Sequence, residues 1–578
     1  MDNAICVPAR MFTQLQQALP PHEGEMEMKY DCDVIVVGGG PVGLFLAAEL
    51  GMRGVSVQLF DNKSGTCTHP AANANSARTM EHYRRLGIAA EVRSQGLPGD
   101  HVTDVAYYTR LSRHQLARLS QPCSSDAVSR AKDYEFLWPT AELPHRCSQL
   151  YVEPVLLKAA KRYASTQVHY DSSVQSLEQD EDGVTATVVS TLDGRQTQCR
   201  AKYLIGCDGP RSTVRSLMGL HYTGSGGEKR EFMGGRMAAT YFSAPELNAA
   251  VQGGRAWQYW TLNHEQRSLI VSVDGRGGFI INIQLQGDAE PSDHDVGQRI
   301  ATAIGTNVNI PFTLISSTTW TAGFALVAEK MRQGRIFLAG DSAHLFTPTG
   351  GMGYNTGIED AANLAWKLEA LVKGFGGGIL ADSYEAERKP VAARNTDFAR
   401  QFADSIGYVR LPKALEDETA EGEAARRSIG AHLNFHGHKE FVIPGVQLGT
   451  RYEDSPLVCA EAGSPPPDTA NLYLPSGRPG HRAPHVWLKD GSSLYDRFGS
   501  GFTLLRLGGG AHQAGADLAS LPQGCPVSEQ TIASEEARDL YGADFVLLRP
   551  DQHIAWRGNR IDAEFGRALS KSLGLAKP

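Results

Sequence analysis

The sequence predicts an α/β protein with three units: a Rossmann-like domain, a mostly antiparallel sheet inserted into it, and a smaller C-terminal α/β unit. Three observations predict this. A strand–turn–helix–strand pattern occupies residues 33–61. Buried-strand patterns return at 203–206 and 334–339, and short strand-like segments dominate 219–330. At 578 residues the chain can hold two to four domains, each with its own core.

Changes in composition set the predicted boundaries. The charge-rich run LEDETAEGEAARR reads as a linker, and after it strand patterns such as FTLLRL and FVLLRP alternate with possible helices. The predicted units are a flexible extension at 1–30, the Rossmann-like domain at 31–218 and 331–410, the inserted sheet at 219–330, a connector at 411–450 and the third unit at 451–578.

The first strand and turn explain why the Rossmann-like domain is predicted. Val34–Val37 is a short run of β-branched residues, suited to a strand that is buried on both faces. Gly38, Gly40 and Gly43 follow with the spacing G-x-G-x-x-G. In this pattern the first glycine permits a sharp turn, the second lets a pyrophosphate approach the backbone, and the third lets the helix pack closely on the strand.

The helix and second strand complete the pattern. The helix is predicted from Pro41 to about Met52, and the free N–H groups of its first turn would face the phosphates. The second strand ends at Asp61, 18 residues after Gly43, close to the expected position of an acid that binds a ribose hydroxyl. A glycine-rich structural turn is the alternative in a chain with 61 glycines. The complete pattern favours a dinucleotide site and does not say which dinucleotide.

Two later strands also end in carboxylates. The strand at 203–206 runs into Asp208, and the strand at 334–339 runs into Asp341, a glycine-rich loop and a helix from about Thr356 to Lys373. Open α/β sheets bind ligands at the carboxyl ends of their strands, so both acids are candidate ligand contacts. For Asp208 the alternative is a turn whose carboxylate is satisfied locally.

Composition and charge argue against several functions. The formal net charge of −8 is spread along the chain, so no nucleic-acid partner is expected. No apolar run is long enough to span a bilayer, and residues 1–30 lack the apolar core of a signal peptide. The nine cysteines are scattered and form no C-x-x-C pair. We therefore expect a reduced, cytoplasmic protein with neither a disulfide framework nor a metal site.

Three separated stretches together resemble the single-component FAD-dependent aromatic hydroxylases, the family with the para-hydroxybenzoate hydroxylase fold. The resemblance covers about residues 31–400. The stretches are G-G-G-P-V-G with its later acid, Cys207-Asp208-Gly209 with Arg215, and Gly340-Asp341 followed by His344, Pro348, Gly350-Gly351, Gly353 and Asn355.

The C-terminal unit adds to this resemblance. G-R-P-G-H-R-A-P-H at 477–485 and R-P-D-Q-H-I-A-W-R at 549–557 resemble the thioredoxin-like domain of the phenol hydroxylase branch. That domain is redox-inactive, which agrees with the missing C-x-x-C.

The resemblance implies FAD as cofactor and assigns residues to it. Asp61 would bind the adenosine ribose, Asp341 the ribityl chain, and Asp208 would serve both FAD and NAD(P)H. The implied FAD-binding residues are Gly38, Gly40, Pro41, Val42, Gly43, Asp61, Arg78, Gln149, Asp208, Gly340, Asp341, Pro348, Gly351, Gly353, Tyr354 and Asn355.

Arg78 and Gln149 match positions near the ribityl and phosphate groups. On the residues alone, Arg78 lies near the start of a helix predicted at 76–86 and is equally a surface arginine.

The implied catalytic centre lies beside the isoalloxazine ring. Pro348, Gly351 and Asn355 match its loop, and Asn73 matches a polar residue that faces the substrate in some relatives. One departure concerns Ala71, because relatives usually carry Arg or Lys there, and this basic residue helps to hold the cofactors.

The implied reaction is hydroxylation of a small phenolic or aromatic substrate, with O2 and either NADPH or NADH, through a flavin C4a-hydroperoxide. The expected assembly is a homodimer without stable membrane insertion. The alternatives are another flavin oxidoreductase, such as a halogenase or an oxidase, and a non-catalytic flavin-binding sensor. The W-x-W-x-I-P segment of the halogenases is absent. The base that deprotonates the substrate stays open among the Tyr, His and Arg residues of 219–330.

Overall fold

The computed structural model describes residues 30–287, 291–305, 309–507 and 524–575. The predicted N-terminal extension therefore lies outside the described residues, except for its last residue. The strands are β1 (Cys32–Val37), β2 (Val57–Phe60), β3 (Ala74–Asn75), β4 (Val105–Tyr108), β5 (Gln115–Leu119), β6 (His145–Arg146), β7 (Thr166–His169), β8 (Ser172–Gln179), β9 (Val184–Ser190), β10 (Gln196–Gly206), β11 (Tyr222–Ser225), β12 (Gly235–Ser243), β13 (Gln258–Leu262), β14 (Arg267–Ser272), β15 (Gly278–Gln284), β16 (Thr313–Ala322), β17 (Ala325–Ala328), β18 (Arg332–Gln333), β19 (Ile336–Leu338), β20 (His344–Leu345), β21 (Phe502–Arg506), β22 (Val527–Thr531), β23 (Phe545–Leu548) and β24 (Ile554–Gly558).

The helices connect and cover these strands. They are α1 (Pro41–Met52), α2 (Ala77–Arg85), α3 (Ala89–Arg93), α4 (Ser124–Ser129), α5 (Gln149–Ala160), α6 (Thr213–Leu217), α7 (Leu247–Ala250), α8 (Asp293–Ile304), α9 (Met352–Lys373), α10 (Ile379–Gly407), α11 (Ala420–Phe441), α12 (Pro444–Leu448), α13 (Glu535–Tyr541) and α14 (Ala563–Ser572).

The first sheet is the predicted Rossmann-like sheet. Its main strand order is β18-β19-β10-β1-β2-β7, and β19, β10, β1, β2 and β7 run parallel. The first half of β10 pairs antiparallel with β9, which pairs antiparallel with β8, so these three strands form two consecutive hairpins. β1 is buried on both faces, as its β-branched run predicted, with α1 and α9 packed over it.

The second sheet has seven strands in the order β16-β12-β15-β14-β13-β4-β5. It is antiparallel except where β4 joins β13. The predicted boundary at residue 219 was therefore wrong in one respect: β4 and β5, assigned to the Rossmann-like domain, complete the second sheet. Their position in the chain hides this, because pairing between strands about 150 residues apart leaves no local pattern.

The connector predicted at 411–450 is largely helical. It contains the 22-residue helix α11, whose buried side lies against β4 and β5. Its mixed charges pointed to a linker, but part of the charged run precedes α11, and Glu421, Glu423 and Arg427 lie on the exposed side of the helix. A second correction concerns α9, which begins at Met352 rather than near Thr356, so Gly353, Tyr354 and Asn355 form its first turn.

The C-terminal unit is a four-stranded sheet in the order β22-β21-β23-β24, with helices α13 and α14. β21 runs parallel to β22 and antiparallel to β23, as in a thioredoxin-like core. The C-terminal unit packs on the first domain through an apolar cluster that includes Trp366 of α9 and Phe502 of β21. The rings of these two residues meet edge to face. No helix in the described ranges is long and apolar enough to cross a membrane.

Candidate active site

The three glycines of the first turn have different environments. Gly38 has φ +107°, and a Cβ on it would lie 2.4 Å from the Cys207 carbonyl oxygen. A Cβ on Gly43 would lie 1.9 Å from the Gly38 carbonyl oxygen. A Cβ on Gly40 would meet nothing within 4 Å. Gly38 and Gly43 are therefore required by packing, whereas Gly40 lies on an open side of the turn, at the N-terminus of α1.

Asp61 is held against the same turn. Its carboxylate accepts hydrogen bonds from the backbone N–H groups of Gly39 and Lys63, the latter at 2.8 Å. A carboxylate has about four acceptor positions, so a ribose hydroxyl can still be bound.

Four other residues define a cleft at the carboxyl ends of the parallel strands. Asp341 is exposed and Cys207, Asp208 and Tyr354 are half-exposed, yet each lies deep enough in protein that burial raises its pKa. A group that reaches solvent while protein surrounds it must face a concave surface. These residues come from the loops after β10 and β19 and from the first turn of α9, where a Cβ on Gly353 would lie 3.8 Å from a carboxylate oxygen of Asp341.

The Asp208 carboxylate is engaged by its own turn. It accepts hydrogen bonds from the Ser212 hydroxyl at 2.6 Å and from the Val214 N–H at 3.0 Å, at the start of α6. These contacts match the alternative interpretation of Asp208, a turn whose carboxylate is satisfied locally. Arg215 of α6 reaches the neighbouring loop, where it donates to the Ser342 carbonyl at 3.0 Å and covers the ring of Tyr222.

The Gly340–Asp341 loop is held in place by a buried group of charged side chains around Asp360. The Gly340 N–H donates to Asp360 at 3.1 Å, and the same carboxylate contacts His344 at 2.6 Å and Arg388 at 2.8 Å. Burial raises the pKa of Asp360, but His344 and Arg388 outweigh it and lower that pKa. The Asp341 side chain makes no hydrogen bond to the described residues, which leaves its carboxylate free to meet a ligand in the cleft.

The amide of Asn355 joins three segments around the start of α9. Its oxygen accepts from the Ser76 N–H at 2.8 Å and from the Thr79 hydroxyl at 2.7 Å. Its nitrogen donates to the carbonyls of Ala74 and Gly351. The nearby Tyr354 hydroxyl contacts the hydroxyl of Tyr83 and donates to Asn75 at 3.1 Å.

The remaining predicted residues of the centre lie around this junction. Gln149 is half-buried at the start of α5 and donates to Glu153 at 2.6 Å. Asn73 is half-buried, and its side chain forms no hydrogen bond within the described ranges. Pro348 and Ala71 are exposed.

Arg78 differs from the prediction. Its side chain is 1% exposed, and its guanidinium donates to Glu81 at 2.8 Å, to Gln552 at 2.7 Å and to the Asp551 carbonyl at 2.6 Å. The guanidinium thus binds the C-terminal unit instead of facing the cleft. The sequence could not show this, because Asp551 and Gln552 lie more than 470 residues away from Arg78.

One face of the second sheet turns toward the first domain. The strand register places Tyr241, Asn282 and Trp320 on this face, and all three are half-exposed. The face packs against Ala74, Leu150 and Tyr151 of the first domain, and His69 bonds to Ser316 at its edge at 2.8 Å. Three other aromatic residues of this sheet region, Trp257, Tyr259 and Trp260, are core residues.

Several residues that build the site were not predicted. Asp360 and Arg388 support the Asp341 loop, and Glu440 of α11 accepts a hydrogen bond from Gly350 at 3.0 Å. Each of these three residues lies on a helix and contacts a different segment, 20 to 90 residues away in the chain, so no motif spacing indicates the contact. No group of three or more His, Cys, Asp or Glu in the described ranges is arranged to hold a metal ion.

Comparison with known proteins identifies the family. Residues 31–399 match the FAD binding domain family, and residues 476–576 match the aromatic-ring hydroxylase C-terminal family. The chain is 30% identical to 2,4-dichlorophenol 6-monooxygenase of Cupriavidus pinatubonensis, over 93% of this chain and 95% of the relative. It is 31% identical to tetracenomycin A2 monooxygenase-dioxygenase of Streptomyces glaucescens, over 93% and 96%.

The structure agrees with the sequence matches. It superposes on the rebeccamycin biosynthetic enzyme RebC with reduced flavin at a TM-score of 0.83, with 32% identity, covering 94% of this chain and 99% of RebC. The open side of the turn at Gly40 and the unbonded Asp341 carboxylate suit an FAD pyrophosphate and a hydroxylated chain. This chain therefore belongs to the single-component FAD-dependent aromatic hydroxylases, a family of monooxygenases that use NAD(P)H as co-substrate.

Proposed function

We propose that this hydroxylase acts on a phenolic ring bound between the half-exposed face of the second sheet and the Pro348–Gly351 loop. The observation that carries the proposal is the position of that face. Tyr241, Asn282 and Trp320 lie on the side of the sheet that packs against Ala74, which itself contacts the turn before α9. A planar substrate in this position would lie next to the cofactor site.

FAD would be held by the glycine turn and Asp61 at one end, and by Asp341 and the start of α9 at the other. When bound, FAD supplies the reduction by NAD(P)H and the activation of O2. The protein's own contribution is positioning, exclusion of water and stabilisation of charge. The N–H groups in the first turn of α9, with the positive end of the helix dipole, would stabilise negative charge at the edge of the cleft.

Two side chains on the sheet face are suited to the substrate hydroxyl. Burial raises the pKa of Tyr241, so it remains protonated near neutral pH and can donate a hydrogen bond to a phenolate. Burial lowers the pKa of His69, which keeps the imidazole neutral and able to accept a proton. Both lie beside the strand positions that we assign to the substrate.

The test is a panel of phenols that runs from single rings to polycyclic compounds. For each compound, both NAD(P)H consumption and hydroxylated product are measured with the FAD-loaded protein. The proposal predicts that at least one phenol stimulates NAD(P)H oxidation and is converted to a product carrying one added oxygen. Tight FAD binding with no phenol-stimulated oxidation would favour a flavin-binding sensor, and a halogenated product would favour a halogenase.

Assembly and compartment are also part of the proposal. We propose a homodimer, which sedimentation of the FAD-loaded protein tests directly. A cytoplasmic location is supported by the eight cysteines in the described ranges, all of which are free thiols.

A further inference from the structure

Glu440 is a buried carboxylate at an unexpected place. It lies in the last turn of α11, is 2% exposed, and accepts a hydrogen bond of 3.0 Å from the backbone N–H of Gly350. Gly350 and Gly351 both have left-handed backbones, with φ of +65° and +63°, and lead directly into α9. Two consecutive left-handed glycines form a turn with little intrinsic stiffness, so its shape depends on such external contacts.

The other side of Glu440 faces the second sheet. Its second oxygen lies 2.8 Å from His436 Nε2, although the two atoms are not aligned for a hydrogen bond. His436 packs against Tyr107 of β4 and Trp260 of β13, with ring centroids 6.3 and 6.4 Å away. Burial, followed by the charge of Glu440, raises the pKa of Tyr107 well above its usual value. Glu440 therefore bridges the sheet's core and the turn.

Burying Glu440 among these side chains costs folding free energy, which argues that the carboxylate has a functional role. Within the described ranges, Tyr107 Oη, Trp260 Nε1, both imidazole nitrogens of His436 and one Glu440 oxygen have no hydrogen-bond partner. Buried polar atoms without partners cost free energy, and a buried carboxylate costs more unless its surroundings compensate for it. An apolar side chain at residue 440 would pack beneath this sheet at lower cost. An apolar side chain could not, however, accept the hydrogen bond from the Gly350 N–H.

We propose that Glu440 is a positioning residue that holds the Gly350–Gly351 turn at a set distance from the second sheet. The inference rests on the proposed function, in which the ring substrate lies against this sheet and the cofactor lies at the turn. A single carboxylate would then connect the two surfaces that must align for oxygen transfer. Misplacement of reacting groups by about 1 Å lowers rates by roughly a hundredfold, so such a contact would control productive turnover.

The first experiment does not depend on activity. Hydrogen exchange is followed by mass spectrometry in peptides covering residues 347–354, in the protein as purified. Glu440→Ala removes the acceptor, and we expect exchange there to be about tenfold faster, as loss of one hydrogen bond implies. Glu440→Gln keeps an acceptor oxygen and should restore protection. Glu421→Ala, at an exposed position of the same helix, is the control and should match the wild type.

The outcomes separate a positioning role from a general structural one. Unchanged exchange at 347–354 in Glu440→Ala, or an equal increase throughout the protein in both the Ala and Gln variants, would overturn the proposal. If Glu440→Ala does not fold, Glu440→Asp decides. It keeps the charge but withdraws the oxygen by one methylene, so faster local exchange supports the proposal and wild-type exchange contradicts it.

A second readout uses a phenol that the panel has identified. We expect Glu440→Ala to keep its FAD and to oxidise NAD(P)H, while the yield of hydroxylated product per NAD(P)H falls by about tenfold. Glu440→Gln should recover most of this yield, and wild-type coupling in the Ala variant would contradict the proposal. If no phenol is turned over, the proposed function fails, while the exchange experiment still decides the role of Glu440.

Discussion

Asn355 holds the entry to α2: its side-chain oxygen accepts a hydrogen bond of 2.8 Å from the backbone N–H of Ser76. Ser76 is the N-cap of α2, and Asn355 lies in the first turn of α9. One buried amide therefore joins the starts of two helices that are about 280 residues apart in the chain.

Replacement of Asn355 by Asp should destabilise the junction. The carboxylate would keep the acceptor for Ser76 but would face the carbonyls of Ala74 and Gly351 without a donor. Two unsatisfied carbonyls predict a loss of about 2–4 kcal/mol in the free energy of unfolding. Urea denaturation measures it. Thr79→Val removes one hydrogen bond to the same amide and the bond that the Thr79 hydroxyl accepts from Ser76, but leaves no carbonyl unsatisfied, so it should cost only about 1–2 kcal/mol. Equal stability of Asn355→Asp and wild type would contradict the assignment.

The glycine turn offers a matched pair of substitutions. Gly43→Ala places a methyl group 1.9 Å from the Gly38 carbonyl oxygen and should destabilise the protein without FAD by at least about 1–3 kcal/mol. Gly40→Ala places its methyl group in open space, so stability without FAD should hardly change while FAD affinity falls. Thermal melting and FAD titration measure the two effects. A Gly40→Ala protein that binds FAD like the wild type would place the pyrophosphate elsewhere.

FAD binding should depend on Asp341, whereas folding should not. Its side chain makes no hydrogen bond within the described ranges, so Asp341→Ala should fold normally and be purified without the yellow cofactor. Absorbance near the flavin bands, relative to protein concentration, measures this loss. A variant that keeps stoichiometric FAD would count heavily against the site assignment.

The same residue predicts a dependence of stability on pH. Burial raises the pKa of Asp341 in the folded state above its unfolded value. The unfolded state therefore releases this proton more readily, and the charged group destabilises the folded protein at pH values above its folded pKa. Asp341→Asn without FAD should be more stable than wild type at neutral pH, with a difference that disappears as pH falls below the unfolded pKa. Denaturation curves across this range test the sign.

Glu81 should stabilise the attachment of the C-terminal unit. Burial alone would raise its pKa, but Arg482 and Arg78 outweigh this and lower the pKa of Glu81 to about 2. Glu81→Gln leaves both guanidinium groups with a neutral partner, and breaking such a buried group costs about 3–5 kcal/mol. Limited proteolysis should then release the C-terminal unit more readily. Glu423→Gln, in an exposed pair with Arg427, is the control and should have no measurable effect.

The lowered pKa of Glu81 also predicts acid sensitivity. Its contribution to stability is complete above the unfolded pKa of about 4.3 and disappears as pH falls through the folded pKa of about 2. The stability difference between wild type and Glu81→Gln should therefore shrink across this interval. A constant difference across this interval would show that folding does not lower the pKa of Glu81.

The sequence by itself determined the features that local patterns encode. The run at Val34–Val37 and the glycines after it predict β1, its turn and α1, because side-chain periodicity and backbone freedom act over a few residues. The acids after β10 and β19 could be placed in one cleft, because parallel strands end at the same edge of a sheet. Asp208 and Asp341 were singled out in this way, and Asp61 by its spacing from the glycine turn.

Only the tertiary structure decided which remote groups meet. The sequence suggested Arg78 as a ligand contact, but Asp551 and Gln552 bind it, and Glu440 reaches Gly350 from a segment predicted to be a linker. β4 and β5 joined a sheet whose other strands begin more than 110 residues later. The physical reason is common to all three. A buried charge or an edge strand must find a partner, but neither its type nor its spacing in the chain specifies which partner the folded backbone brings to it.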